Sequence, residues 1–167
     1  MKRIACIPFL LMTVFAAAAQ TDSLPEPAYK RFPTPPPFKL LLTDSVTWFT
    51  KDDLPRKKAT LVMVFSPDCE HCKHETEELI KHIDELSKVE IVMATPATFE
   101  RMKEFYVQYG LQRFSNIVVG KDVSYTLPVF YNMRNFPFLA FYDKKGNLID
   151  VFEGSLPVEK VIEKFNN

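Results

Sequence analysis

The chain has 167 residues, with 21 Lys and Arg against 21 Asp and Glu and a formal net charge of zero. That balance gives no sign of a nucleic-acid or anionic-membrane surface, and the length provides for one core and not two. Hydrophobic residues make up 47% and aromatic residues 13%, a content suited to a small, well-buried domain.

Met1-Lys2-Arg3 is followed by an apolar stretch over 4–15 and then by Ala16-Ala17-Ala18-Ala19. A basic start, a short apolar run and small residues predict a secretory signal peptide over 1–19, cut between Ala19 and Gln20. The run is shorter than the roughly 20 apolar residues of a membrane span and is interrupted by Pro8, so no span is expected in the mature chain; an uncleaved anchor is the alternative. Cleavage removes two basic residues and no acid, leaving nineteen basic against twenty-one acidic side chains, a net of −2. It also removes Cys6, so the mature chain keeps Cys69 and Cys72 alone. An exported protein, here expected in a bacterial periplasm, that keeps one cysteine pair is using it for chemistry and not as a scaffold.

Residues 20–37 carry Pro25, Pro27, Pro33 and Pro35-Pro36-Pro37 among polar side chains and read as a flexible, extended arm before a domain over 38–167. Phe38-Lys39-Leu40-Leu41-Leu42 and Val46-Thr47-Trp48-Phe49 predict two short strands around Thr43-Asp44-Ser45. Leu61-Val62-Met63-Val64-Phe65 is apolar throughout, so 60–65 predicts a buried strand. From Glu70 to about Lys88, the residues Cys72, Thr76, Leu79, Ile80, Ile83 and Leu86 recur at helical spacing and define one buried face.

Ile91-Val92-Met93 centres the next strand. A helix from about Ala97 then puts Phe99, Met102, Phe105, Tyr106 and Tyr109 on one side and stops at Gly110. A short strand is expected over 116–119, closed by Gly120, and a short helix near 122–131. Residues 138–142 and 148–152 flank Asp143-Lys144-Lys145-Gly146-Asn147 and predict a β-hairpin. Ser155-Leu156-Pro157 opens a last helix with Val158, Val161, Ile162 and Phe165 on one face. All four glycines are placed at element edges. Alternation in the middle implies parallel crossovers, and the hairpin adds antiparallel strands. The fold class is α/β, a mixed central sheet flanked by helices.

The chemistry concentrates in Cys69-Glu70-His71-Cys72, a CxxC pair between the buried strand and the helix after it. Two cysteines three apart at a helix start can close a disulfide or open to a dithiol with little backbone movement. The first sits where unpaired N–H groups and the helix dipole favour a thiolate. Protonated His71 would add to that effect, while Glu70 and Asp68 would oppose it. Half of a zinc site is the competing reading. A closed site needs four ligands, and His71, His74 and His82 all belong to the same helix, so no metal is expected.

With those residues in place, the chain resembles the thioredoxin superfamily and, within it, the exported TlpA-like thiol-disulfide oxidoreductases. The strand before Cys69-Glu70-His71-Cys72 carries the resemblance, together with Phe136-Pro137 before 138–142 and Phe152-Glu153-Gly154 before the last helix. It runs from about residue 36 to the C-terminus. It implies a thioredoxin-like fold with an N-terminal β-hairpin and a TlpA-type strand–helix insertion around 91–109. Two positions depart from the pattern: Asp68 stands where the family usually has Trp, and Met63 stands where minimal thioredoxins have a buried Asp.

The resemblance implies a nucleophilic Cys69, a resolving Cys72 and a Glu75 that assists thiol deprotonation. A solvated first-turn acid is the other reading of Glu75. Glu70 and His71 would tune the pair, and Pro137 would be the cis-proline that turns the backbone of Phe136 towards a partner. Phe130, Tyr131 and Phe138 would floor a groove or belong to the core. No cofactor is implied. The partners would be thiols and disulfides of exported proteins, with a membrane electron donor for a reductase. Reduction is the direction preferred by resemblance. A disulfide oxidase or isomerase, a metal-binding protein, or a redox-inactive interaction module on the same fold are the alternatives.

Overall fold

A computed structural model describes residues 26–166. The signal peptide expected over 1–19 lies outside the described residues, as do residues 20–25 of the Pro-rich segment.

One seven-stranded sheet organises the chain, in the order β2-β1-β5-β4-β3-β6-β7. Strand β3 (Ala59–Val64) is buried at every residue, as its apolar run from Leu61 onward requires of a strand covered on both faces. It pairs in parallel with β4 (Val89–Thr95), which pairs in parallel with β5 (Ile117–Asp122). On the other side β3 pairs antiparallel with β6 (Phe138–Tyr142), and β6 pairs with β7 (Leu148–Glu153) in the predicted hairpin. Strands β1 (Lys39–Leu42) and β2 (Trp48–Thr50) form an antiparallel hairpin against β5.

Alternate residues of β3 feed two cores. Leu61 and Met63, with Phe65 just beyond the strand, pack with Leu79 of α2 (Glu70–Lys81), Met102 and Phe105 of α3 (Phe99–Gln108) and Val161 of α5 (Val158–Phe165). Val62 and Val64 face the other way, onto Leu40, Phe138 and the Leu127 and Tyr131 side chains of α4 (Thr126–Tyr131). The α/β class, the mixed sheet and the flanking helices are as expected from the sequence.

Three expectations are corrected. Helix α2 ends at Lys81, and residues 82–88 form turns held by i→i−3 bonds such as Ile83 N to Ile80 O and Leu86 N to Ile83 O. Ile83 and Leu86 still pack on the core, so the apolar period persists after the helix stops. Gly120 lies inside β5 and does not close it. A Cβ there would meet the Leu40 Cβ at 2.7 Å, so glycine admits the close approach of β1.

The third concerns the segment read as a flexible, extended arm, which lies against the domain over 26–37. Its short helix α1 (Ala28–Arg31) sets the Tyr29 ring 6.1 Å from Tyr131, the Pro33 carbonyl accepts from Leu148 N, and Pro35 and Pro36 are buried. Proline rings carry apolar surface, and here the domain offers a complementary face.

Candidate active site

Strand β3 ends at the Ser66-Pro67-Asp68 turn and delivers Cys69 to the N-cap position of α2, with φ −86° and ψ 119°. The Cys69 carbonyl accepts the first helical bond, from Lys73 N, at 3.1 Å. Its thiol is partly exposed and donates to the Phe136 carbonyl at 3.5 Å. Cys72, one turn further, is fully buried, and its sulfur accepts from the Ser66 N–H at 3.5 Å. Both cysteines are free thiols. Burial pushes the Cys72 thiol far above its ordinary value. The Ser66 N–H opposes that rise, while the Cys69 side chain and the Glu75 charge add to it.

Glu75 is buried to 2% exposure on the same helix face. One carboxylate oxygen accepts from the Ser155 hydroxyl at 2.8 Å and from the Leu156 N–H at 2.9 Å. Burial raises its pKa above the ordinary 4.5, against the lowering effect of those two bonds. The carboxyl lines a surface cavity of about 420 Å³ that His74, Glu78, Ser155 and Glu159 also line. The solvated-acid reading of Glu75 is therefore incorrect: the start of α5 closes over it.

Glu70 and His71 are exposed, and Glu70 pairs with Lys73 at 2.6 Å. His74 is exposed and His82 pairs with Glu85, so the three histidines do not converge on the cysteines. Among the described residues, no three His, Cys, Asp or Glu side chains are grouped to hold a metal ion.

Phe136 is half-buried and packs against both cores, and its peptide bond to Pro137 is cis. Phe138 is core, stacked on Tyr131 at 4.8 Å, while half-buried Phe130 meets the same ring edge-on at 5.1 Å. The site residues expected from sequence thus fall into one cluster around Cys69, Cys72, Glu75 and Phe136, with Glu70 and His71 on its exposed rim.

Sequence reasoning missed several contributors. Arg101 of α3 reaches back to the Asp68 carboxylate, beside Cys69, and to Glu104 at 2.7 Å. Ser155 anchors Glu75, and Glu153 accepts from the N–H groups of Arg134 and Asn135. Apart from the Arg101–Glu104 pair, three residues apart, these contacts have no local sequence signal, because each partner is at least 18 residues away. A larger hollow of about 690 Å³ runs along α3, lined by Phe99, Lys103 and Val107, and includes neither cysteine.

Solved structures share this architecture. The secreted disulfide oxidoreductase of Mycobacterium tuberculosis that is homologous to DsbE of E. coli superposes with a TM-score of 0.64 at 18% identity, covering 76% of this chain and 92% of that one. The exposed lipoprotein thioredoxin of Streptococcus pneumoniae gives 0.59 at 18% identity over 78% of this chain and all of the other. StoA from Bacillus subtilis gives 0.60 at 14% identity over 79% and 98%. No curated protein matches the sequence. The family model of the thioredoxin-like domain matches residues 51–167, and the chain belongs to that family.

Proposed function

We propose that this protein is a thiol-disulfide oxidoreductase that exchanges its Cys69 and Cys72 pair with cysteines of exported proteins, working as a reductase. The observation that carries the reading is a reachable Cys69 thiol at the start of α2 with a buried Cys72 behind it. The Cys69 thiolate attacks one sulfur of a substrate disulfide, forms a mixed disulfide and releases the first substrate thiol. Cys72 loses its proton and attacks the Cys69 sulfur. The second substrate thiol leaves, and the Cys69 to Cys72 disulfide remains. Two electrons and two protons pass to the substrate, and a membrane donor of two electrons resets the dithiol.

Glu75 is the acceptor of the Cys72 proton. Burial raises its pKa and so makes it a stronger proton acceptor than an exposed carboxylate, and the cavity beside it offers a route to solvent. Phe136 and Pro137 form the edge against which the substrate backbone docks, and Glu70 and His71 tune the charge near Cys69. Reduction is favoured because dithiols that are strong oxidants owe this to a stabilised reduced form. Here the residues that flank Cys69 in sequence, Asp68 and Glu70, are acids, which do not supply that stabilisation. Export is supported by the signal-like residues 1–19 and by neighbours described as secreted or exposed.

The test is insulin reduction together with the equilibrium potential of the pair. A reductase gives turnover and a potential below about −200 mV, towards thioredoxin's ~−270 mV. A value near about −120 mV assigns oxidation instead, and absence of exchange removes the enzymatic reading.

A further inference from the structure

We infer that Glu153 is a positioning residue, whose carboxylate fixes the loop that presents the Phe136 carbonyl to Cys69. Residues 133–137 have neither helical nor strand structure, and they lie between α4 and β6. One Glu153 oxygen accepts from two successive backbone N–H groups in that loop, those of Arg134 and Asn135. Gly154, the next residue, donates its N–H to the Pro137 carbonyl at 2.8 Å. Two adjacent residues at the end of β7 therefore clamp the loop on both sides of Phe136. Phe136 is the residue whose carbonyl takes the Cys69 thiol bond at 3.5 Å.

The clamp is anchored in the sheet, because Glu153 pairs in register with Phe138 at the start of β6. Hydrogen bonds from N–H to a carboxylate are shorter and stronger than neutral ones, so one side chain can order a segment that lacks its own ladder. Nothing in this arrangement needs the charge of Glu153 to reach the substrate. The requirement is an acceptor oxygen at that point.

Gln and Ala therefore behave differently. Glu153→Gln keeps an oxygen for both N–H groups and removes the charge, whereas Glu153→Ala removes the acceptor. In Glu153→Ala the amides of Arg134 and Asn135 exchange hydrogen about tenfold faster or more, as a locally opened segment does. Iodoacetamide alkylates its Cys69 severalfold faster, because the carbonyl that lies on the sulfur is released. Resting on the reductase reading, KM for the reduction of insulin rises about fivefold with kcat little changed, since loss of orientation weakens docking. Glu153→Gln, whose neutral bonds to the same N–H groups are weaker, falls between wild type and Glu153→Ala in all three and closer to wild type.

Equal KM changes in the Gln and Ala variants would overturn the inference in favour of charge steering, as would unchanged amide exchange and alkylation in Glu153→Ala. Should Glu153→Ala fail to fold, Glu153→Asp serves, since its shorter side chain cannot reach both N–H groups and the same direction of change is required. If the wild type turns over no disulfide, the functional reading fails, while exchange and alkylation still decide the role of Glu153.

Discussion

Replacing Glu75 with Gln is expected to make the protein more stable and slower at once. The carboxylate is 2% exposed, and its pKa is raised even though two hydrogen bonds to one oxygen pull it down. Burial of the charge thus outweighs the bonds. Making the acceptor neutral weakens each bond by about 1–1.5 kcal/mol, while removing a desolvated carboxylate returns several kcal/mol, so Gln gains on the order of 1 kcal/mol at pH 7.

The pH dependence follows from linkage. With the folded pKa above the ordinary 4.5, stability carried by the Glu75 proton is whole below that value and is lost as pH rises through the folded value. The advantage of Gln is therefore smallest in acid and grows towards neutrality. Kinetically, Cys72 is fully buried and strongly held as a thiol, so loss of its base slows resolution of the mixed disulfide by about 10²-fold, the low end of general-base effects. Thermal melts between pH 4 and 8 read the first effect, and single-turnover kinetics with a Cys69-linked substrate read the second. A variant less stable at pH 7, or one that resolves at the wild-type rate with the same pH profile, would refute the reasoning.

Cys72→Ala should accumulate the mixed disulfide on Cys69, seen by mass spectrometry as substrate mass retained on the protein; failure to trap any would contradict its role as resolving thiol. The Tyr131 and Tyr142 hydroxyls, both buried, lie 2.6 Å apart. Removing either one with Phe should cost about 1–3 kcal/mol by orphaning the other, whereas the double variant should recover much of the loss in a denaturation cycle. Additive losses would show that the pair is not coupled. Gly120→Ala brings a Cβ to 2.7 Å of the Leu40 Cβ and should cost about 1–3 kcal/mol through displacement of β1; an unchanged midpoint would refute that packing.

The sheet and the dithiol were legible because their signals are local. The unbroken apolar run of β3, the hairpin turn at 143–147 and the cysteine spacing each need fewer than ten residues to read. What escaped depends on distant chain. Ile83 and Leu86 keep helical spacing while their hydrogen bonds change, so periodicity reported burial and overran the end of α2. Gly120 is dictated by Leu40, and the docking of 26–37 by Tyr131 and Leu148, all far along the sequence. The environment of Glu75 is likewise set by Ser155 and Leu156, 80 and 81 residues on.

That last separation explains how the site manages without the strand carboxylate of minimal thioredoxins. Met63 fills the corresponding position in β3 and is fully buried among core side chains, which leaves no polar partner for an acid there. Glu75 supplies the carboxylate from the helix, and the turn into α5 supplies the donors that make its burial tolerable. Just before that turn, Glu153 at the end of β7 and Gly154 after it hold the Phe136 loop. Residues 153–156 thus hold the Phe136 loop with their first two positions and the Glu75 carboxylate with their last two. A backbone shift in those four residues would reach both the Phe136 loop and the Glu75 carboxylate, although the cysteine sulfurs bond to Ser66 and Phe136 and not to them.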